Sequence, residues 1–186
     1  MADTRKVLPG DEVAVEEEYL ASDGTYNEDG VIYASQFGDL ELDLNEMTAK
    51  VRSPNPPNVL RPGDIVFAVI ADTKPTMATC DVVAKEGVKR GVGGETYGTI
   101  HVSKISPGYT EDVSKEFRKN DIIRGRVTQA KPSLQVVTMD PHLGVIIARC
   151  ARCRETLVRK ERGLYCQSCD RYYSRKIADD YGQVVV

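Results

Sequence analysis

Four of the five cysteines fall into two matching pairs, Cys150-x-x-Cys153 and Cys166-x-x-Cys169, with 12 residues between them. A two-residue gap lets one tight turn aim two thiolates at a single ion, and the intervening stretch is long enough for a hairpin that returns the second pair to the first. Four soft ligands suit a tetrahedral zinc. With a full set of thiolates and no histidine after His142, the expectation is one structural Zn2+ with no position open for a substrate water. The apolar residues of this tail, Leu157, Val158, Leu164, Tyr165, Tyr172 and Tyr173, are too few to fold it by burial alone, so metal binding must supply much of its stability. A reactive C-x-x-C normally sits at a helix start in a βαβ pattern, whereas two pairs lie here in a strand-rich tail. Iron accepts the same four thiolates, and ligand type does not separate the two ions; spacing favours zinc. Cys80 stands apart in an apolar stretch and reads as a small buried hydrophobe.

The longest apolar runs, such as residues 65–71, fall far short of a membrane span. Residues 1–6 are polar and lack the apolar core of a secretory signal, so the chain is expected to be cytoplasmic, free of membrane, with reduced cysteines rather than disulfides.

A phrase recurs three times: Leu8-Pro9-Gly10-Asp11-Glu12-Val13, Arg61-Pro62-Gly63-Asp64-Ile65-Val66 and Arg118-Lys119-Asn120-Asp121-Ile122-Ile123. Each reads as a turn feeding a strand, with Gly or Asn where φ turns positive and β-branched residues following. The spacings differ and the text between copies does not match, which argues against a solenoid. Prolines 54, 56 and 57 forbid helix and interrupt ladder pairing, marking a domain boundary. The expected architecture is mainly β, in three small domains: an N-terminal β-sandwich or barrel-like domain (1–58), a five-stranded OB barrel (59–147) and a zinc ribbon (148–186). The barrel is read from strands at 64–72, 76–84, 97–103, 121–130 and 133–139, with one helical turn between residues 110 and 117, since five strands with a helix after the third is the OB order.

Charge is uneven along the chain: −9 over residues 1–60, +2 over 61–147 and +4 over 148–186. An acidic head repels phosphate, so nucleic-acid contacts belong to the remaining two thirds. Single strands bind OB barrels by stacking on exposed aromatics in a basic groove. Tyr97 and Tyr109 adjoin glycines and suit stacking; Phe67, amid Ile65, Val66 and Val69, reads equally as core. Lys85, Lys89 and Arg90 occupy a Gly-rich loop, and Arg124 and Arg126, two apart on a strand, point the same way toward phosphates. No Gly-Lys-Ser/Thr follows the loop glycines, so it is not a P-loop. His101 and His142 lack a neighbouring motif supplying a nucleophile and an orienting acid, and no catalysis is expected.

In order, these parts resemble the archaeal exosome cap subunits of the Csl-four type. The head, through Pro9-Gly10-Asp11, Gly24-Thr25-Tyr26 and Gly30-Val31-Ile32-Tyr33-Ala34-Ser35, is similar to that family's N-terminal β domain. Gly63-Asp64-Ile65-Val66, Lys74-Pro75, Gly98-Thr99-Ile100-His101-Val102-Ser103 and Ile105-Ser106-Pro107-Gly108-Tyr109 resemble the RNA-binding OB domain named after ribosomal protein S-one, and the tail resembles its zinc ribbon. The resemblance implies a non-enzymatic subunit that sits on a ring of RNase-PH-type subunits and guides RNA to 3′-to-5′ degradation or tailing. It also implies company with the other RNA-binding cap subunit and the archaeal primase-like exosome protein. His101 matches the family's histidine on the binding face. Two departures stand out. Thr76-Met77-Ala78-Thr79-Cys80 carries no aromatic where the OB family usually does, and Arg154 and Asp170 follow the cysteine pairs where ribbons often place glycine. A transcription or translation accessory factor that uses the ribbon to touch a polymerase or ribosome is the alternative.

Overall fold

The computed structural model describes residues 5–108 and 110–184; Tyr109, a stacking candidate, lies outside the described residues. The chain separates into two compact units, Met1–Pro57 and Asn58–Val186.

The first unit is built from β1 (Arg5–Val7), β2 (Glu12–Val15), β3 (Leu20–Ala21), β4 (Thr25–Glu28), β5 (Val31–Ala34), β6 (Gly38–Asp43) and β7 (Thr48–Arg52). They form a four-stranded sheet in the order β1-β6-β7-β3 and a three-stranded sheet in the order β2-β5-β4. Alternation buries one face of each: Val7, Leu40 and Val51 from the first meet Ala34 and Val13 from the second, giving the expected sandwich-like core.

The second unit opens with β8 (Ile65–Lys74), β9 (Met77–Lys85) and β10 (Tyr97–His101), an antiparallel meander. A 3-10 turn (Val102–Lys104) and α1 (Val113–Glu116) follow, the helix capped by Asp112, whose carboxylate accepts from Ser114 N–H at 2.8 Å. Then come β11 (Ile122–Gln129) and β12 (Leu134–Val137). β12 pairs with β10 in parallel and with β11 antiparallel, and β11 pairs with β8, so five strands close into the expected OB barrel. Closure needs a close approach at Gly125, where a Cβ would stand 2.3 Å from Val136 Cγ1.

All three copies of the turn phrase have one geometry. Gly10 (φ 91°), Gly63 (φ 95°) and Asn120 (φ 70°) take the left-handed position. In each, the following aspartate's carboxylate accepts from the N–H three residues back at 2.8 Å: Leu8 to Asp11, Arg61 to Asp64, Arg118 to Asp121.

A further strand, β13 (Gly144–Ile147), pairs with the first half of β11 and leads directly into the first cysteine. The ribbon sheet is β14 (Val158–Lys160), β15 (Gly163–Cys166) and β16 (Arg171–Tyr173). Its buried residues Cys150, Leu157, Leu164 and Cys166 join the same core as Val66, Ile100, Ile123 and Val136 of the barrel. A smaller cluster of Phe67, Ile146 and Ala178 covers the outside of the barrel. Phe67, 7% exposed, is therefore core and not a stacking platform.

Candidate metal centre and nucleic-acid face

The hairpin of β14 and β15 turns the second cysteine pair back onto the first, as the spacing requires. The four Sγ atoms all lie within 4.8 Å of one another. The Cys150–Cys169 and Cys153–Cys166 separations of 3.9 and 3.4 Å bracket the edge of about 3.8 Å that a tetrahedron with zinc–sulfur bonds of about 2.3 Å would have. The four cysteines can hold a metal ion, and the donor set is all thiol.

Electrostatics point the same way. Cys150 is held down at about 5, chiefly because the Tyr173 hydroxyl lies 3.2 Å from its sulfur, with backbone N–H groups adding to the effect. Cys169 is pushed up to about 12 by its contact with Cys153 and by burial. The Cys150 thiolate forms readily, while Cys166 and Cys169 are pushed up and resist a second negative charge at such range; a divalent cation removes that conflict. Arg154 (φ 65°) and Asp170 (φ 49°) occupy the left-handed position one residue past each pair, so both knuckles keep the glycine-type turn without glycine. The Ser168 hydroxyl donates to Glu155 and ties one knuckle to the other.

Cys80 is fully buried, and burial pushes its thiol up to about 12, consistent with a packing role.

The residues expected to meet RNA do not gather in one place. On β10, period-two alternation turns Tyr97, Thr99 and His101 outward while Gly98 and Ile100 go in; Tyr97 is 53% exposed. His101 and Thr99 line an open groove of about 280 Å3 with Met77, Lys104, Thr128, Gln135 and Val136. His101 Nδ1 accepts from the Ser103 N–H at 3.3 Å and meets the Ser103 hydroxyl at 2.9 Å, which ties that edge of the ring to the turn after β10. Met77 pairs directly with His101 across β9 and β10, so the departure from the aromatic pattern falls at the groove itself. Lys104, Thr128 and Gln135 carried no signal in the sequence. The closure of β12 between β10 and β11 brings them to His101.

Lys89 and Arg90 are exposed on a loop pinned to Asn58, whose side chain donates to the Arg90 carbonyl at 2.9 Å and whose own carbonyl accepts from Gly93 at 2.8 Å. Lys85 instead bonds Asp64 at 2.8 Å. Arg126 is half-exposed and pairs with Asp140 at 2.7 Å.

Arg124 corrects the expectation that it serves phosphate. It does project from the same face of β11 as Arg126, but the C-terminal segment folds over it and leaves it 3% exposed. Asp180 grips the guanidinium from both oxygens at 2.8 and 3.1 Å, and the Phe67 ring lies 5.6 Å beneath it. Burial raises the Asp180 carboxyl, but the Arg124 bonds outweigh this and hold it below the usual range. The folded value is depressed, so the pair's contribution is present in full above the ordinary carboxylate range near pH 4 and disappears as pH falls through the folded value. Asp180→Ala should cost about 2–3 kcal/mol at pH 7, because it removes both short bonds to a buried guanidinium and leaves it the His142 contacts and the longer Glu86 pairing at 3.6 Å. Urea melts at pH 7 and pH 3 check this: the gap between variant and parent should narrow in acid, and an equal gap at both would refute the pairing argument.

His142 belongs to this cluster and looks like half of a catalytic dyad, with Nδ1 at 2.7 Å from Asp179. Its Nε2, however, meets Arg124 Nη1 at 2.7 Å, so the nitrogen that would take a nucleophile's proton is already engaged. Three-dimensional assembly of His142, Asp179 and Asp180 around Arg124 thus makes an anchor for the C-terminus.

The fold and site define a class: an OB-barrel protein whose barrel shares its core with a four-cysteine knuckle able to hold a metal ion. Residues 7–43 match the family described as the exosome complex exonuclease RRP4 N-terminal region. Across 179 residues, 96% of this chain and 98% of its relative, the sequence is 34% identical to "Exosome complex component Csl4" of Archaeoglobus fulgidus. The chain belongs to the Csl4 family of exosome components, as the resemblance implied. Among the described residues no helix is long and apolar enough to cross a membrane.

Proposed function

We propose that this chain is a non-catalytic RNA-binding cap subunit of an exosome, working in the cytoplasm. It docks through residues 1–58 on a ring of RNase-PH-type subunits and helps recruit and guide RNA for 3′-to-5′ degradation or tailing. The observation that carries the reading is kinship over almost the whole length with a named exosome component. One zinc per chain, held by Cys150, Cys153, Cys166 and Cys169, is structural in this reading. The ring, the other RNA-binding cap subunit and the primase-like exosome protein are its partners.

Two surfaces support the division of labour. The head leaves Leu20, Leu42, Leu44 and Met47 between 43% and 73% exposed, apolar area of the kind a subunit interface removes from water. The barrel offers the His101 groove, exposed Tyr97 and the Lys89–Arg90 loop, a mixture of stacking and cationic groups suited to a single strand.

Reconstitution tests the reading. The purified chain should co-elute with a phosphorolytic ring and change its rate of RNA degradation, and Leu42→Asp with Leu44→Asp should abolish co-elution. A chain that never joins the ring, or that pulls down a polymerase or ribosome instead, ends the proposal. On the RNA side, Lys89→Ala with Arg90→Ala should flatten the salt dependence of binding, by a slope of roughly 1.4 for two lost phosphate contacts on a single strand. Met77→Phe should tighten binding about fivefold by restoring a stacking ring opposite His101. Unchanged slope and affinity would return loop and groove to plain solvent-facing roles.

A further inference from the structure

The ribbon sheet presents a face that neither the metal nor the barrel uses. Its register sets Val158 opposite Tyr165 and Tyr165 opposite Tyr172, while Arg159, Leu164 and Tyr173 alternate to the other side. Leu164 goes into the shared core. The ends of the row stay in solvent, Val158 43% and Tyr172 51% exposed, with Tyr165 half-buried between them. The rings of Tyr165 and Tyr172 stand 4.9 Å apart at 49°, and the Lys160 ammonium sits 3.9 Å from the Tyr165 centroid. Lys160, Glu161, Arg162 and Tyr172 together line an open hollow of about 370 Å3.

The cations beside this row are Lys160 and Arg162, which line the hollow with Tyr172 and Glu161, whereas Arg159 and Arg171 alternate to the far side of the sheet. An exposed aromatic ring with two cations at its edge matches a nucleobase flanked by phosphates, because the ring supplies a sequence-tolerant stacking surface and the cations meet the backbone. We propose that this face is a second single-stranded RNA site, separate from the barrel groove, in which one base stacks on Tyr172 while Lys160 and Arg162 meet the adjoining phosphates. It rests on the RNA-binding reading above and extends it to the ribbon.

Fluorescence anisotropy of the full zinc-loaded chain with a labelled oligoadenylate tests it. Tyr172→Ala should raise Kd about tenfold, whereas Tyr172→Phe should bind like the parent, since stacking needs the ring and not the hydroxyl. Lys160→Gln with Arg162→Gln should reduce the slope of log affinity against log salt by about 1.4. Zinc content and melting temperature, measured on each variant, should not move, because the replaced side chains are exposed. A parent-like Kd for Tyr172→Ala, or an equal loss for Tyr172→Phe, overturns the proposal. His101→Ala, run alongside, separates the two readings. Weakening there with none at Tyr172 removes the ribbon site alone; no effect at either position removes both. A Tyr172→Ala chain that binds RNA normally but no longer joins the ring would make the face a protein interface and would equally overturn the proposal.

Discussion

Removing zinc, by chelation or by Cys166→Ser, is expected to destabilise the barrel as well as unfold the ribbon. The ribbon alone would lose its structure because too little apolar surface remains, and structural zinc in small domains contributes about 10–16 kcal/mol of apparent binding energy. The consequence for the barrel follows from packing. Leu157 and Leu164 are buried in the core that also holds Ile100, Ile123 and Val136. The Tyr181 hydroxyl donates to the Leu157 carbonyl at 2.8 Å and accepts from the Ala148 N–H at 3.1 Å, locking the residue that enters β14 to the one that leaves β13. Withdrawing even one such leucine is worth about 3 kcal/mol, which for a unit of this size lowers the melting temperature by about 10–20 °C. Metal analysis should return one zinc per chain, and hydrogen exchange with and without chelator should show protection lost in residues 148–178 and weakened in β11. A barrel that melts identically with and without metal would disprove the shared-core argument; iron in place of zinc would overturn the metal assignment.

Asp121→Ala should cost about 3–5 kcal/mol, far more than the same change at Asp11, although the two aspartates make the same turn. Asp121 is 1% exposed; its Oδ2 accepts from the Arg118 N–H at 2.8 Å and from Arg175 Nε at 2.6 Å. Burial pushes its carboxyl up against the pull of Arg175, the mark of an ion pair taken out of water. Losing the acid strands a guanidinium whose side chain is 2% exposed, and Arg175→Ala strands the carboxylate in turn. Asp121→Ala combined with Arg175→Met should cost less than the sum of the single changes, since no unpaired charge then remains buried. Asp11, in the exposed copy of the turn, loses only a local bond worth about 1 kcal/mol. Asp64, held by Lys85, should fall between them. Urea denaturation of the three single variants checks the order, and equal costs would show that the turn alone, not its burial, sets stability.

Much of the fold was legible because its signals are local. The cysteine spacing predicts the knuckles, and the turn phrase predicts the starts of β2, β8 and β11 from residues within one turn of each other. The five barrel strands follow from period-two alternation, and the helical turn before residue 118 from the Ser106-Pro107-Gly108 stretch that precedes it. β13 was missed for the complementary reason: residues 143–146 are all buried, so the strand reads as an unbroken apolar run with no alternation to detect.

Residue type, spacing and alternation determined a four-cysteine knuckle, the strands of an OB barrel and an acidic β head, since the signal for each lies within a few residues of chain. Only the tertiary structure decided which cations remain available. Arg124 and Arg126 look alike two residues apart on β11, but a carboxylate 56 positions away buries the first and leaves the second half-exposed. It also decided that the ribbon is built into the barrel's core, through Asp121 and Arg175, 54 positions apart, and through leucines whose partners lie on other strands. Burial depends on which segments the chain lays over one another, and that is a property of long-range packing which no local pattern encodes.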